Sequence, residues 1–374
     1  MRLASSRPAP HLELPGKSHR LVMLGEHPLV AETPEHQLSE PTTPTEKFFI
    51  RNNGTVPEPT REPLAWRVTI DGEVERALTL TLGDIQSRFE PVTRHLVLEC
   101  GGNGRAFFTP PASGNPWTNG GVGCAQWTGV RLRDLLHAAG VKPSAVFTAH
   151  YGADGEFADP SRPAISRGVP IAKALDENNL VVWEMNGAPL PRVHGFPLRL
   201  IIPGWPGSVS AKWLRRIWLR DRRHDGKGMT GTSYRVPIRP MTPGAPPDLQ
   251  NFRDLESMPV RSIISSPANG ATLPADTRSI AVRGAAWGGD NDVAFVDVSI
   301  DGGATWQRAN LAPQRNPYDW HRWSTTVACP GPGYYEIWAR ATDVNGVAQP
   351  HAAANWNPQG YGANPMQRVT VTIG

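Results

Sequence analysis

Hydrophobic and polar residues follow different patterns in the two halves of the chain. Before about residue 250, four apolar runs are typical of buried strands: 92–98, 146–150, 180–185 and 198–202. The segment 128–140 instead repeats its apolar residues at helical spacing, and Gly140 is placed to end that helix. Residues 171–178 are predicted as a second, shorter helix. This mixture of helices and strands predicts a mixed α/β domain.

The pattern changes after about residue 255, where short alternating strands follow one another without helical segments. Alternation covers 293–300, 334–341 and 369–373, and turn sequences such as Asn345-Gly346 separate the strands. Short strands at this regular spacing predict a β-sandwich of immunoglobulin type. The proline-rich stretch 237–247 is predicted to connect the sandwich to the preceding domain.

The predicted fold is therefore α+β, in three segments. Residues 1–47 are polar and proline-rich, which predicts an extended N-terminal arm over the fold, with no chemistry assigned to it. Residues 48–250 are predicted to form the mixed α/β domain, and residues 251–374 the immunoglobulin-like domain. A hydrophobic content of 39% and 13 tryptophans in 374 residues are enough to give both domains a substantial core.

The charge balance narrows the classes of partner. A net charge of +4, without runs of lysine and arginine, argues against nucleic acid and suits a small anionic substrate or an anionic cofactor. No stretch of ~18 apolar residues predicts a membrane span. The N-terminus lacks the apolar core of a signal peptide, so we expect that the protein stays inside the cell or that a leader has been removed.

Among the cysteines Cys100, Cys124 and Cys329, only Cys100 lies in a distinctive context. The chain lacks C-x-x-C, C-x-x-C-H and H-E-x-x-H, which argues against zinc, iron–sulfur and c-type haem sites. An apolar run leads into Cys100-Gly101-Gly102-Asn103-Gly104-Arg105, where the glycines allow a bulky group to approach the backbone. A soft thiolate near the fixed charge of Arg105 suits a metal centre that handles an anion. A buried structural cysteine beside a surface arginine is the alternative.

A second group of polar residues lies between residues 191 and 213. His194, Arg199, Ser210 and Lys212 surround glycine turns and the predicted strand 198–202. Donors of this kind suit a phosphorylated, electron-rich cofactor, although each alone could equally be a satisfied polar side chain. His150 and His194 are also candidate bases for a nucleophilic Cys100, but the sequence does not pair either of them with it.

Together these motifs resemble the sulfite oxidase family of molybdopterin enzymes, in particular its bacterial sulfite dehydrogenases, over about residues 45–374. The segment Leu98-Glu99-Cys100-Gly101-Gly102-Asn103 resembles the family segment whose cysteine ligates molybdenum. The resemblance implies five catalytic residues, namely the anion-binding Arg51, Arg105 and Arg368, Trp117 as a pocket wall and Tyr234 as a hydrogen-bond donor. The cofactor-binding positions that it implies are Arg51, Asn52, Asn53, Gly54, Thr55, His194, Arg199, Ser210, Ala211 and Lys212.

Two departures from the family pattern are visible. Asn53 stands where the family often carries a histidine, and asparagine hydrogen-bonds but does not titrate. The chain also shows no haem domain, so electrons are expected to leave to a separate partner or to oxygen.

The resemblance implies oxidation of sulfite to sulfate at a molybdenum–molybdopterin cofactor, with a c-type cytochrome as the expected acceptor. It also implies a homodimer through the sandwich domain, and export to the periplasm with the cofactor already inserted, with the cytoplasm as the alternative compartment. Two other functions stay open at this point: a related molybdopterin reductase of S- or N-oxides, and a non-catalytic β-sandwich assembly protein.

Overall fold

The computed structural model describes residues 14–374, so the first thirteen residues of the predicted arm lie outside the described residues. The α-helices in this range are α1 (Leu82–Arg88), α2 (Leu132–Ala139) and α3 (Ile171–Ala174). The 3-10 helices in the same range are Glu35–Gln37, Pro63–Ala65, Arg105–Phe107, Arg192–His194, Gly207–Val209 and Leu249–Asn251. Within residues 14–374, no helix combines the length and apolar character that a membrane crossing requires.

Fifteen strands precede residue 255 in the described part of the chain. They are β1 (Val22–Glu26), β2 (Leu29–Glu32), β3 (Ile50–Arg51), β4 (Arg67–Gly72), β5 (Leu78–Thr81), β6 (Val92–Glu99), β7 (Val122–Arg131), β8 (Phe147–Gly152), β9 (Ser166–Arg167), β10 (Leu180–Met185), β11 (Ala188–Pro189), β12 (Arg199–Ile201), β13 (Leu214–Arg220), β14 (Arg235–Pro237) and β15 (Phe252–Asp254). One sheet has the order β11-β10-β7-β6 with β12 also paired to β10, and a second has the order β5-β4-β13-β8-β9. A third, β1-β2-β3, shows that the arm forms a hairpin and pairs with the strand that carries Arg51.

The helix predicted over 128–140 is wrong in its first turn. Residues 128–131 continue β7, where Thr128 pairs with Glu184 and Val130 with Val181 of β10. The backbone hydrogen bonds of these residues go to the neighbouring strand, so helical spacing of the side chains did not decide the local structure. The helix α2 begins at Leu132 and ends at Ala139. Gly140 caps it with a φ of 75°, the left-handed conformation that glycine adopts readily.

The second domain contains the remaining strands, which form two mainly antiparallel sheets packed face to face. They are β16 (Arg261–Ser266), β17 (Ala271–Leu273), β18 (Ser279–Trp287), β19 (Val293–Ser299), β20 (Gln307–Arg308), β21 (Asn310–Leu311), β22 (His321–Ala328), β23 (Gly333–Asp343) and β24 (Gln367–Ile373). Their orders are β16-β18-β22-β21 and β17-β24-β23-β19-β20. Inward residues such as Val282, Val296, Ile337 and Val371 form one buried core between them. The predicted α+β fold with an immunoglobulin-like sandwich is confirmed.

The two domains share a buried junction directly behind β6. Val97 and Cys124 of the first domain pack in one apolar cluster with Ile263, Trp287 and Trp320 of the second. Apolar burial of this kind stabilises the relative position of the domains. Residues that follow β6 are therefore held against the sandwich domain.

Candidate active site

Cys100 follows β6 directly and is held at the strand's end by a rigid loop. Its N–H donates to the Gly121 carbonyl at 2.8 Å. The Asn103 side chain donates to Glu99 Oε1 at 2.9 Å and accepts from Gly121 N–H at 3.0 Å. Cys100 is 8% exposed and forms no disulfide. The loop therefore presents a free thiol at a fixed position.

Cavities lie on two sides of this thiol. We call the first the inner cavity; it joins two spaces of about 460 Å³ and 420 Å³ that share Arg51, Asn53 and Lys212 in their walls. We call the second the outer pocket; it has about 780 Å³ and is lined by Arg105 among others. Cys100 lines both, so a group bound at its sulfur would contact the two spaces at once.

The inner cavity is strongly cationic. Lys212 Nζ donates to Asn52 Oδ1 at 2.6 Å and to the Val193 carbonyl at 2.7 Å, and burial lowers its pKa well below the usual value. Burial lowers the pKa of Arg199 to about 9. Among the described residues that line the cavity, Asp154 is the one carboxylate, and burial raises its pKa to about 6. Charges desolvated in this way need an anionic partner.

Two buried donors in this region lack a hydrogen-bond partner within residues 14–374. They are Arg199 Nε and Asn52 Nδ2. Buried donors normally find an acceptor, so these atoms indicate that the cavity is shaped for a group rich in acceptors. Ser210 and Ala211 line the same space as Asn52.

His194 is held from behind by the N-terminal arm. Lys17 Nζ donates to the carbonyls of Thr45 and Phe48, both at 2.6 Å, and lies 2.9 Å from His194 Nε2. Burial and the nearby cations hold the pKa of His194 well below its usual value, so the ring is neutral. Burial lowers the pKa of Lys17 to about 7. While Lys17 is protonated, its ammonium has donors only, so His194 Nε2 accepts and the ring proton lies on Nδ1. In that protonation state the ring, which lines the inner cavity, offers a donor.

The outer pocket brings Arg51, Arg105 and Tyr234 together with Cys100. Arg105 Nε donates to the Gln359 carbonyl at 2.6 Å, and Nη1 donates to the Asn115 carbonyl at 2.9 Å. Both contacts fix a permanent cation in a partly dry site, where it attracts an anion more strongly than in water.

Arg105 fits because glycines surround its side chain. A Cβ added at Gly102 would lie 2.4 Å from Arg105 Nη2, and one at Gly360 would lie 2.6 Å from its Cγ. Side chains at these positions would displace the guanidinium. The sequence prediction that the glycines allow a close approach is therefore correct, but the group that they admit is the chain's own arginine.

Tyr234 has a φ of 50°, which is uncommon for a bulky residue. The Arg167 guanidinium lies 4.4 Å from its ring centroid. The ring of Tyr361 stacks at 4.6 Å with an interplanar angle of 22°. Backbone strain at a residue held in this way is typical of functional sites.

Two residues predicted for the pocket lie elsewhere. Arg368 is exposed on β24, opposite Trp338, and its guanidinium lies 5.6 Å from that ring. Strand alternation turns Gln367 and Val369 inward and Arg368 outward, so its assignment to the anion pocket is wrong. Trp117 is 0% exposed and packs in the core beneath Cys100, so it does not form a wall of either cavity.

The predicted cofactor-binding positions also fall into two groups, those that line a cavity and those that do not. Most of them line the inner cavity: Arg51, Asn52, Asn53, His194, Arg199, Ser210, Ala211 and Lys212. Gly54 and Thr55 instead pack on the loop at Gly155, where Thr55 N–H donates to the Gly155 carbonyl at 3.1 Å. Their assignment as cofactor contacts is not supported by this geometry.

Four residues of the site were not predicted from the sequence: Lys17, Arg167, Gln359 and Tyr361. Arg167 is 3% exposed and donates to Ser208 Oγ at 2.7 Å in the inner cavity. Tyr361 lies between two glycines, as functional residues in turns often do, and this local pattern is the one signal that could have indicated it. Lys17 has no such signal, because its partner lies 177 residues away.

Comparisons with known proteins agree with this geometry. The family model for the oxidoreductase molybdopterin binding domain matches residues 53–227, and that for the Mo-co oxidoreductase dimerisation domain matches 253–374. The sulfite oxidase of Gallus gallus is 35% identical over 351 residues, which cover 89% of this chain and 74% of that protein. The chain belongs to the sulfite oxidase family.

Two further relatives support the assignment. The mitochondrial sulfite oxidase of Drosophila melanogaster is 34% identical over 98% of this chain and 65% of its own length. The solved structure of the sulfane dehydrogenase SoxCD from Paracoccus pantotrophus is 27% identical, with a TM-score of 0.75 over 92% of this chain and 87% of that one. The protein is thus a molybdopterin-dependent oxidoreductase, and the non-catalytic alternative is wrong.

The residues of the inner cavity fit the molybdenum cofactor that this family uses. Its phosphate and pterin acceptors match the orphaned Arg199 Nε and Asn52 Nδ2, and the surrounding cations match its negative charge. Within residues 14–374, no cluster of three or more His, Cys, Asp or Glu side chains could hold a metal. Cys100 would supply the protein thiolate, while the cofactor brings its own sulfur ligands.

Proposed function

We propose that this member of the sulfite oxidase family oxidises sulfite to sulfate and passes the electrons to a separate acceptor. The observation that carries the proposal is the convergence of Arg51, Arg105 and Tyr234 on the outer pocket beside Cys100. The similarity to sulfite oxidases supports it.

Each residue of the outer pocket has a physical role in this proposal. Sulfite is strongly hydrated, and Arg51 and Arg105 offset the cost of removing its water with charge-assisted hydrogen bonds. Tyr234 donates a further hydrogen bond, and its ring is held by contacts with Arg167 and Tyr361. The molybdenum cofactor, when bound, supplies the oxygen transfer and accepts two electrons. The protein contributes position and electrostatics.

The electron acceptor, the cellular compartment and the oligomeric state are part of the same proposal. A c-type cytochrome is the proposed acceptor, and the periplasm the proposed compartment. The match of residues 253–374 to a dimerisation domain supports a homodimer.

The test is an assay of the purified, molybdenum-loaded protein with sulfite and three acceptors side by side: ferricyanide, cytochrome c and oxygen. We expect sulfite-dependent reduction of ferricyanide and cytochrome c, with oxygen slower. The Cys100→Ser protein serves as the inactive control. Absence of sulfite-dependent reduction of every acceptor would overturn the proposal.

A second candidate is oxidation of sulfane sulfur. It is favoured by the neutral residues Gln359 and Tyr361, which the second domain contributes to the outer pocket in place of Arg368. The SoxCD relative is named a sulfane dehydrogenase. The same assay with thiosulfate and with a peptide cysteine S-thiosulfonate separates the candidates. Cytochrome reduction with these substrates and not with sulfite would favour the second.

A pocket with two arginines favours sulfite over a neutral S- or N-oxide less strongly than the expected pocket with three arginines would. A further assay therefore supplies reduced viologen together with dimethyl sulfoxide or trimethylamine N-oxide. Viologen oxidation that exceeds sulfite turnover would favour a reductase.

A further inference from the structure

A segment of the sandwich domain, residues 355–362, reaches across to the loop that carries Cys100. Gly362 N–H donates to the Gly101 carbonyl at 3.0 Å. The buried Asn357 side chain holds the same segment, since it donates to the Tyr361 carbonyl and accepts from Tyr361 N–H, both at 2.9 Å. The backbone of Tyr361 is therefore fixed beside the catalytic cysteine.

The ring of Tyr361 completes a stack of four side chains. Arg105 lies 5.2 Å from its centroid, Tyr234 stacks at 4.6 Å, and Arg167 lies 4.4 Å from the Tyr234 ring. Cation–π contacts and aromatic stacking stabilise this order, in which two stacked rings lie between two cations. Tyr361 thus touches two residues that the proposed function places around the substrate.

The hydroxyl of Tyr361 stays protonated. Burial and the neighbouring Tyr234 raise its pKa above the usual range for tyrosine. Tyr361 lines the outer pocket together with Cys100, Arg51 and Arg105. A neutral donor therefore lies where a third arginine was expected from the sequence.

We propose that Tyr361 contacts the substrate and determines its class. The hydroxyl donates a hydrogen bond to a sulfur oxyanion, while the ring holds Tyr234 and Arg105 in position. The pocket then recognises its anion with two cations and neutral donors, so it accepts singly charged sulfur oxyanions nearly as well as doubly charged ones. This inference rests on the proposed oxidation of a sulfur oxyanion.

The first test is anion binding, which needs no turnover. Sulfate and methanesulfonate are titrated calorimetrically into the molybdenum-loaded parent protein, Tyr361→Phe and the control Tyr334→Phe. Tyr334 is a 64% exposed tyrosine of the same domain whose hydroxyl contacts Glu336. Tyr334→Phe therefore removes the same hydroxyl group at a position that does not contact the pocket. Molybdenum content and thermal unfolding show that the three proteins are comparable.

We expect the parent to bind the two anions with affinities within about tenfold of each other. Tyr361→Phe keeps the ring and loses the hydroxyl, so both affinities should fall by at least about tenfold, the usual effect of losing one hydrogen bond to a charged group. The control should stay within about twofold of the parent. Equal sulfate affinities in the parent and Tyr361→Phe, or no sulfate binding by the parent, would overturn the inference.

A second variant tests the charge argument separately. Tyr361→Arg should strengthen sulfate binding relative to methanesulfonate by at least about tenfold at low ionic strength, and salt should reduce that preference. An equal change for both anions would contradict the role assigned to the neutral hydroxyl. In the sulfite assay, Tyr361→Phe should raise KM with little change in kcat. A parent that binds sulfate but does not oxidise sulfite would refute the proposed function and leave the binding result standing.

Discussion

Glu99 and Arg261 form a buried ion pair across the junction of the two domains, with 3.0 Å between Glu99 Oε1 and Arg261 Nε. Their side chains are 3% and 1% exposed. Trp287 of the second domain also donates to Glu99 Oε2 at 2.8 Å. Because Glu99 directly precedes Cys100, these contacts from the second domain also fix the position of the loop that carries Cys100.

Removal of Arg261 should destabilise the protein strongly. Arg261→Met leaves the Glu99 carboxylate buried without its cation, which typically costs about 3–5 kcal/mol of unfolding free energy. Urea unfolding measures the loss. Lys227→Met is the control, since the Lys227–Glu156 pair is exposed on its lysine side and should contribute about 0–1 kcal/mol. A double variant with Glu99→Gln should recover part of the stability, and equal stability of Arg261→Met and the control would contradict the pair's role.

Cys100→Ser should abolish sulfite oxidation while the protein remains folded. A hard hydroxyl replaces the soft thiolate toward molybdenum, and the small change of volume leaves the loop hydrogen bonds intact. Circular dichroism and turnover are measured on protein with known molybdenum content. Substantial turnover in metal-loaded Cys100→Ser would remove this cysteine from the reaction.

Lys17→Met should weaken retention of the cofactor. At a pH below about 7, where Lys17 is protonated, the change removes the ammonium that donates to His194 Nε2, so the ring no longer keeps its Nδ1 proton and orientation. We expect cofactor loss on dilution to become about tenfold faster, as for one charge-assisted hydrogen bond. Pterin fluorescence and molybdenum analysis follow the loss.

Lys47→Met is the matched control for Lys17→Met, because Lys47 lies in the same arm and pairs with Glu40 instead of His194. Identical cofactor loss from the two variants would show that the arm acts only as a cover. A ¹⁵N spectrum of the His194 ring gives an independent readout of its tautomer.

Asp154 should give the cofactor-free protein a specific pH dependence. Burial raises its pKa from 3.8 to about 6. Between these values the folded protein holds a proton that the unfolded chain releases, so stability falls as pH rises through this window and levels off above it. The loss amounts to at most about 3 kcal/mol. Asp154→Asn should lack this slope in urea unfolding between pH 4 and pH 6, whereas parallel profiles for the two proteins would contradict the assignment.

Asn53→His should introduce a new pH dependence of turnover. Asn53 lines the inner cavity beside Arg51, and an unperturbed imidazole titrates at about 6.5. The neighbouring Arg51 opposes a second positive charge, so the transition should lie below that value. The pH–rate profiles of parent and variant are compared in identical buffers at equal molybdenum loading. Superimposable profiles would show that residue 53 only hydrogen-bonds its surroundings.

Features that depend on residues close together in the chain could be predicted from the sequence. The run before Cys100 forms β6 and delivers the thiol to a glycine loop, as predicted, because alternation and glycine content act within a few residues. The alternating strands of the second half predicted the sandwich for the same reason. Local patterns also grouped His194, Arg199 and Lys212, which line one cavity.

The identity of the distant side chains that complete the site depends instead on how the sheets and domains pack. Arg368 and Tyr361 lie seven residues apart, yet the first is turned to solvent by the pleat of β24 and the second stacks on Tyr234. Lys17 reaches His194 only because the arm pairs with β3. Such contacts join parts of the chain that have no common local pattern, since the packing of whole sheets and domains sets them. For that reason the sequence correctly indicated Cys100 but wrongly predicted that Arg368, and not Tyr361, would lie beside it.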